Sequence, residues 1–410
     1  MSFFGWLRPK AATQSAGSTT IDGPDDIERA IRIGLSGTAA GVSVTPDSAM
    51  RQGAVYACVR LISGAVANMP LDLKQRVDEN TRIERNDLPL ANVLRRKPNG
   101  WQKAAMFRRM LTAHLVLRGN AYAQIVRGIG GRVIALHPMH PDRVEPKQRD
   151  DLSLIYKYTR RDGGRVTFKQ GEILHLVGLS LDGVTGVSVI TYAREAIGLS
   201  QTQERHGATT FKNAARPSIV LTHPGQLGKE GLENLRTSVD QYRAGGESEG
   251  KALILEEDMK ADQMQMTAED AQWIESRKFS RSDIAMFFGV PPHMIGDTDK
   301  STSWGTGIEN MGIGFTTYTL EDYLTTWEQG IDVDLVTDPS VFAKFNRNAL
   351  LRGDSKSRQG YYTAMLQWGV MSPNEIRALE DQNPREGGDI YYPPPNTAGK
   401  PDPDDEGNET

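Results

Sequence analysis

The chain has 410 residues, enough for two or three domains or for one large module with several parts. Of these residues 38% are hydrophobic and 24% are charged, a composition typical of soluble globular proteins. It excludes an intrinsically disordered chain, and no stretch approaches the roughly 18 apolar residues that a membrane span needs. The formal net charge is −4, whereas proteins that clamp nucleic acid through many phosphates are usually basic, so we expect any contact with DNA to be local or weak.

Residues 1–44 are predicted to form a flexible N-terminal arm, because their first stretch is apolar only over Phe3–Leu7 and is not a secretory signal. A helix is predicted to follow, with Thr45 as its cap and Pro46 at its first position. One face of this helix is apolar at spacings of three and four: Val55, Val59, Ile62 and Val66. The only cysteine, Cys58, lies among them, so we expect a core residue and no disulfide.

A strand, two helices and an antiparallel hairpin are predicted next. PLDLKQRV (70–77) alternates like a strand, a short helix closes at Pro98-Asn99-Gly100, and a longer helix ends near Arg118. NAYAQIVR (120–127) and RVIALHPM (132–139) are joined by glycines between 128 and 131, which is a strong hairpin signal. Residues 171–178, GEILHLVG, are predicted to add a further strand.

The stretch HPMHPD brings His137, His140 and Asp142 close together in sequence, and His175 in the following strand could join them. This set has the residue types of a metal site. Two prolines, however, indicate a turn between strands, and no remaining ligand has an obvious source. We therefore favour a structural turn and predict no metal and no cofactor.

A long polar helix and a small α/β insert are predicted after residue 190. Tyr192–Asn213 has helical propensity but few apolar residues in its second half, so the helix must bridge solvent or pack against copies of itself. PSIVLTHPG, GKEGLENLRTSVDQYRA and KALILEED then form a strand, a helix and a strand over residues 217–258.

GGESEGKAL (245–253) matches a nucleotide-binding P-loop at Gly245, Gly250 and Lys251, but Ala252 replaces the required hydroxyl residue. A P-loop follows a strand and opens a helix, whereas this stretch leaves a helix and enters a strand. Nearby carboxylates would also repel phosphate. We therefore interpret it as a mobile turn and predict no ATPase activity.

A second long helix is predicted to begin at a capping box, Thr267 and Asp270, and to end before Gly289 and Pro291-Pro292. It carries a short basic stripe at Arg277, Lys278 and Arg281. Such a stripe either faces phosphates or is a solvated face that pairs with nearby acids, and we favour the second.

The following loop carries polar and aromatic side chains at Asp297, Lys300, Ser301, Thr302, Ser303 and Trp304. Long polar loops in such a position are either connectors or functional elements, and composition alone does not decide between them. A third long helix, about Ile308–Gln329, contains Gly312 and Gly314, which should weaken or kink it. Helices at 354–368 and 372–380 precede an acidic, Pro-rich tail that is predicted to be disordered.

The chain resembles the portal proteins of tailed bacteriophages, specifically the large siphophage-type portal family. Seven stretches carry the resemblance in family order: residues 54–73, 94–127, 134–144, 171–190, 211–221, 287–296 and 371–389. Characteristic segments among them are LRRKPNGWQKAAMFRRMLTAHLVLRGNAYAQIVR, FFGVPPHMIG and MSPNEIRALEDQNPREGGD. One departure is FKNAARP, where the family commonly has Asn-Gly.

The resemblance implies an α+β portal fold with a wing, a long-helix stem, a small α/β clip and a helical crown, assembled as a ring of usually twelve subunits. Its implied parts are the wing (45–190), a stem helix (191–213), the clip (214–265), a second stem helix (266–290), the tunnel loop region (291–306), a kinked spine helix with more of the wing (307–350), the crown (351–388) and the tail (389–410).

The resemblance also implies a function: the ring sits at one capsid vertex of the virion, after assembly in the host cytoplasm, and double-stranded DNA is packaged through it and later ejected. The implied partners are the terminase large subunit, head–tail connector proteins, the major capsid protein and scaffold, and no membrane. An alternative is another head–tail connector or neck ring, and the packaging ATPase itself is disfavoured.

The residues implied to face DNA are those of the tunnel loop, of which Lys300 and Trp304 are the preferred contacts. Hinge positions are predicted at Gly305, Gly307, Gly312 and Gly314. Partner docking on the clip is assigned to Glu233, Arg236, Asp240, Arg243 and Lys251. No catalytic residue is predicted.

Overall fold

The structure is a computed structural model that describes residues 38–212, 219–222, 225, 228–242, 259–263, 281–297, 311–347, 355–380 and 382–394. The chain forms two compact units, one of residues 1–55 with 190–284 and the other of residues 56–189 with 285–410.

The helices are α1 (Pro46–Ala49), α2 (Gly53–Asn68), α3 (Pro89–Arg95), α4 (Ala104–Arg118), α5 (Val189–Lys212), α6 (Lys229–Tyr242), a π-helical segment (Phe315–Leu320), α7 (Glu321–Asp334), α8 (Ser355–Gln367) and α9 (Pro373–Leu379). The strands are β1 (Leu71–Arg76), β2 (Arg82–Glu84), β3 (Asn120–Arg127), β4 (Val133–Met139), β5 (Val144–Gln148), β6 (Leu154–Thr159), β7 (Arg165–Lys169), β8 (Ile173–Val177), β9 (Ile219–Thr222), β10 (Lys260–Gln263) and β11 (Val341–Phe345). Residues 281–287 and 311–314 are also helical.

In the first unit, α1 begins at a capping box that Thr45 forms with Ser48, as the predicted cap requires. The described end of the N-terminal arm packs on α5, where the Ala39 amide donates to Glu195 at 3.0 Å. Farther along the chain, β9 and β10 pair in antiparallel register, with Ile219 opposite Gln263.

The described residues of the second unit form three antiparallel sheets of three strands, in the orders β11-β1-β2, β4-β3-β8 and β5-β6-β7. The hairpin of β3 and β4 confirms the sequence prediction, and β8 adds to its other side. Tyr122, Met139 and Ile173 from this sheet meet Val144 and Tyr156 of the β5-β6-β7 sheet in a shared buried cluster. The two sheets are therefore joined by side-chain packing.

Helix α7 is packed through the middle of this unit. Trp327 is fully buried, and its indole N–H donates to Thr112 on α4 at 3.1 Å. A Cβ on Gly330 would lie 2.6 Å from Leu176, so the lack of a side chain lets α7 approach β8 closely. The hydrogen bond to Thr112 satisfies the indole N–H, which is the one polar group of the buried Trp327 side chain.

Arg108 is buried without a carboxylate partner among the described residues. Its guanidinium donates to the carbonyls of Ala67 at 2.8 Å and Leu94 at 3.0 Å, which lie at the ends of α2 and α3. Burial lowers the pKa of Arg108. The carbonyl ends of two helices thus supply the partial negative charge that this cation needs.

Several local details differ from the sequence predictions. The helix predicted from Thr45 is divided into α1 and α2, with turn residues at 50–52. The apolar positions of α2 are nevertheless buried as predicted, and so is Cys58. Burial raises the pKa of Cys58 to about 12. The β5-β6-β7 meander was missed, since its strands are short and polar and β5 contains Pro146.

Candidate functional site: the segments that flank the predicted tunnel loop

The helical residues 281–287 end at a glycine stop, as predicted. Gly289 has a φ of 64°, a conformation that L side chains rarely adopt. Its amide donates to Met286 O at 3.0 Å, and the Val290 amide donates to Ala285 O at 3.0 Å. A short 3-10 turn, Pro292–Ile295, follows. The chain therefore turns sharply just before the predicted tunnel loop.

The glycine stop is fastened to the helix on the far side of that loop. Thr319, in the π-helical segment, donates its hydroxyl to the Gly289 carbonyl at 2.5 Å. A Cβ on Gly289 would lie only 2.9 Å from the same hydroxyl. The two flanks of the predicted loop are therefore held together at its base, whatever the conformation of the residues between them.

The predicted hinge glycines Gly312 and Gly314 lie in a continuous helical stretch, immediately before the π-helical segment. Thr316 donates its hydroxyl to Gly312 O at 3.1 Å. Single-turn π segments are frequent where helices bend or serve a function. The helix also runs to Asp334, five residues past its predicted end. The hinge role of the two glycines stays a prediction.

Carboxylates of α7 anchor this helix to β11 and to the residues just after it. They accept hydrogen bonds both from cationic side chains and from backbone amides. Arg347 donates to Glu321 at 2.5 Å and to Glu328 at 2.7 Å, and Lys344 donates to Glu328 at 3.0 Å. Glu328 also accepts the Phe345 amide at 2.8 Å. Because β11 is an edge strand, this amide would otherwise lack a partner in the sheet. The Arg347 hydrogen bonds lower the pKa of Glu321.

The connection from β8 to α5 is a braced loop over residues 178–188. Asp182 accepts hydrogen bonds from the Thr185 hydroxyl at 2.6 Å, the Thr185 amide at 2.7 Å and the Val184 amide at 2.8 Å. The Asn120 side chain accepts from the Gly186 amide and donates to its carbonyl, both at 2.8 Å. The backbone of the loop is thus fixed by side-chain hydrogen bonds from within the loop, at Asp182, and from β3, at Asn120.

His175 extends this network into the interior. Its Nε2 lies 3.0 Å from Asn120 Oδ1 and its Nδ1 lies 3.2 Å from the Tyr156 hydroxyl. Because Asn120 Oδ1 can only accept, Nε2 carries the proton and Nδ1 accepts from Tyr156. Burial lowers the pKa of His175 to about 3, so the ring is neutral at physiological pH. Of the other candidate ligands, His137 lies against Trp101, whereas His140 lies 3.6 Å from Asp142. The Asp142 carboxylate accepts a hydrogen bond from Arg118 at 2.7 Å.

Only some of the predicted site residues can be placed. Arg281 and Glu233 are exposed and Asp297 is half-buried, while Arg236 and Asp240 lie on α6. The other predicted site residues lie outside the described residues: Arg243, Lys251, Arg277, Lys278, Lys300, Ser301, Thr302, Ser303, Trp304, Gly305 and Gly307. Sequence reasoning missed Thr319 and Asn120, although a polar residue at a strand start and a Thr-rich helical stretch are visible in the sequence.

Two findings on the described residues concern other classes of function. Within the described ranges, no group of three or more His, Cys, Asp or Glu side chains could hold a metal ion. Over the same part of the chain, none of the helices is long and apolar enough to cross a membrane.

The sequence of the chain matches that of known structural proteins over most of its length. A sequence model of the family described as phage portal protein matches residues 53–381. The chain belongs to the phage portal protein family. The portal protein of Enterobacteria phage HK97 is 36% identical over 354 residues, which are 85% of this chain and 82% of that protein. The probable portal protein of Streptomyces phage phiC31 is 33% identical, over 84% of this chain and 78% of its own.

Solved structures show the same fold. A chain in the neck of an empty GTA particle, computed with C6 symmetry, has a TM-score of 0.64 at 24% identity and covers 83% of this chain and 94% of its own. A chain in the neck of a native GTA particle, computed with C12 symmetry, has a TM-score of 0.60 at 22% identity, with 89% and 96% covered. As a portal protein of the tailed-phage type, the chain is a structural component of a virion.

Proposed function

We propose that this chain closes a ring, usually of twelve copies, at one vertex of a phage capsid. Double-stranded DNA passes through the ring during packaging by a terminase and again at ejection. In this proposal residues 45–190 form the wing, 191–213 and 266–290 the stem, 214–265 the clip, and 351–388 the crown. The observation that carries the proposal is the portal family match, which spans residues 53–381.

Exposed apolar side chains on two described helices support packing between copies. On α5, Tyr192 is 58% exposed and Leu199 is 51% exposed, and their spacing of seven places them on one face. On the helical stretch 311–334, Tyr318 is 84% exposed and Val333 is 80% exposed. Contact with a neighbouring copy would bury these apolar side chains.

The fastening of Gly289 to Thr319 supports a tunnel loop at 291–306. A loop whose two flanks are bonded at the base can move at its tip without pulling on the rest of the unit. Lys300 and Trp304 are the proposed DNA contacts, and Arg277, Lys278 and Arg281 are further cations of the same region. Replacing Lys300 with glutamine should slow DNA packaging without changing ring mass, since one phosphate contact is lost per subunit.

Ring closure is tested by native mass spectrometry near physiological salt and again at high salt. We expect a species of about twelve times 45.2 kDa. Leu199→Asp should lower the ring fraction, whereas Arg205→Asp, at an exposed polar position of the same helix, should leave it unchanged. A monomer or dimer in every condition, with added capsid protein and scaffold as well, would contradict the proposal. Terminase binding then separates a portal from another neck ring.

A further inference from the structure

A cavity of about 550 Å³ lies between α7 and the outer face of the β11-β1-β2 sheet. Its charged lining consists of five cations and three carboxylates: Lys74, Arg76, Arg82, Lys344, Arg347, Glu321, Glu328 and Asp332. Each carboxylate already has a hydrogen-bond partner. Glu321 and Glu328 accept from Arg347 or Lys344, and Asp332 accepts from the Ala343 amide at 2.6 Å. The cavity therefore presents excess positive charge.

That excess is concentrated on three side chains of β1 and β2. No described carboxylate lies within ion-pair distance of Lys74, Arg76 or Arg82. Arg76 and Arg82 are directly opposite each other in the antiparallel ladder, so their side chains share one face of the sheet. Like charges in directly opposed positions destabilise a strand pair. Glu84, directly opposite Lys74 in the same ladder, offsets part of this positive charge, and an anionic ligand in the cavity would neutralise the remainder.

The shape and chemistry of the cavity favour a carboxylate-bearing peptide over duplex DNA. The cations line a concave space at the side of a helix, and three acids border it, whereas a duplex presents a wide convex surface of like charge. A flexible acidic segment can place single carboxylates between the cations. This chain contains such a segment, PDPDDEGNET at residues 401–410, with five carboxylate side chains and no cation.

We propose that residues 401–410 of this chain dock into the cationic cavity, with their carboxylates beside Lys74, Arg76 and Arg82. Pro394, which precedes this segment in the chain, belongs to the same unit as the cavity. The residues from 395 to 409 can span up to about 50 Å when extended. The docked segment neutralises the arginine pair and covers the polar face of the sheet. The carboxylates of the segment are charged at neutral pH, so it can bind these cations without any added phosphate group.

Carbodiimide cross-linking of the full-length protein tests this directly, because the reagent joins only amines and carboxylates that are in contact. We expect peptides in which Lys74 is joined to a carboxylate of residues 402–409. Lys344 and Glu328, 3.0 Å apart, provide an internal positive control for the reaction and for the fold of this region. The yield of the Lys74 product should fall about tenfold in Arg76→Gln/Arg82→Gln, as expected for the loss of two exposed ion pairs.

A matched control is Arg160→Gln/Arg161→Gln, which removes two exposed cations from the turn between β6 and β7 and should leave the product unchanged. Asp404→Asn/Asp405→Asn, which removes two carboxylates from the segment, should reduce the yield of the Lys74 cross-link. The proposal is overturned if Lys74 does not cross-link to residues 402–409 while the Lys344–Glu328 product forms. It is also overturned if a duplex oligonucleotide binds in a manner that requires Arg76 and Arg82 while the segment does not cross-link. Neither the cross-linking result nor the oligonucleotide binding depends on ring closure, which native mass spectrometry measures separately.

Discussion

Replacing Gly289 with alanine tests whether the helix stop is locked to the π-helical segment. At a φ of 64°, an L side chain costs roughly 1–2 kcal/mol. The new Cβ would lie 2.9 Å from Thr319 Oγ1 and 3.3 Å from its Cγ2, so the threonine must shift. Weakening its hydrogen bond to the Gly289 carbonyl adds roughly 1 kcal/mol. We therefore expect the base of the predicted tunnel loop to lose about 2–3 kcal/mol of local stability.

Hydrogen exchange read by mass spectrometry is the appropriate assay, since a chain of two units need not unfold in one step. The amides of Gly289 and Val290, which bond back to residues 286 and 285, should exchange about 30- to 150-fold faster. Gly296→Ala is the matched control, because Gly296 has a φ of 85° but no atom within 4 Å of an added Cβ. It should lose only the backbone contribution, about 5- to 30-fold in local exchange.

A double-mutant cycle with Thr319→Ala separates the contact from the backbone strain. In the Thr319→Ala background, the added Cβ of Gly289→Ala meets no hydroxyl, so the alanine should cost no more than it does at Gly296. Equal effects of Gly289→Ala and Gly296→Ala, together with strict additivity in the cycle, would refute the idea that Thr319 fastens the base of the loop.

Three further outcomes follow from the geometry of the second unit. Burial raises the pKa of Asp334 from 3.8 to about 6, so the folded state binds this proton more tightly than the unfolded chain, and stability falls as the pH rises from about 4 to 6. Asp334→Asn should then raise the free energy of unfolding at pH 7.5 by about 1–2 kcal/mol, less than the full shift implies because solvent screens the partly exposed carboxylate, and change it little at pH 4. Equal gains at both pH values in denaturant titrations would contradict this. Asp182→Ala removes the acceptor that braces the 178–188 loop, so the amides of residues 184 and 185 should lose protection from exchange, and unchanged protection would show that Asn120 alone suffices. Glu328→Gln keeps the shape of the side chain but not its charge, and should lower stability by about 1–3 kcal/mol in the same titrations, against little change for Gln359→Glu at an exposed position of α8.

The helices and the β3–β4 hairpin were predictable because their signals are local. Caps, glycine stops and apolar spacing act within a few residues, so α4, α5, α8 and α9 match their predicted ranges closely. The division of α1 from α2 was not predicted, because the cap at Thr45 and the apolar spacing that begins at Val55 were interpreted as parts of one helix. The pairing of β1 with β11 joins residues far apart in sequence, and no local pattern encodes such a partner.

The candidate site was predictable only in part for the same reason. Gly289 and Pro291-Pro292 predict the end of a helix by residue type alone. Thr319 gains its role from a carbonyl 30 residues earlier, and one threonine in a Thr-rich stretch carries no sign of that contact. The cationic cavity was also missed, because Arg76 and Arg82 become neighbours only through the register of β1 and β2. The resemblance to portal proteins supplied the function, which these local signals do not.

The long-range closure of the second unit has a consequence for biosynthesis. Trp327 bonds to Thr112 across 215 residues, and Gln75 bonds to Ser340 across 265. At a synthesis rate of roughly 5–20 residues per second, about 10–50 s pass between the synthesis of Gln75 or Thr112 and that of its bonding partner. Residues 190–284, which belong to the other unit, are made during that interval. A nascent chain therefore cannot complete the β11-β1-β2 sheet until β11 has been synthesised, late in translation.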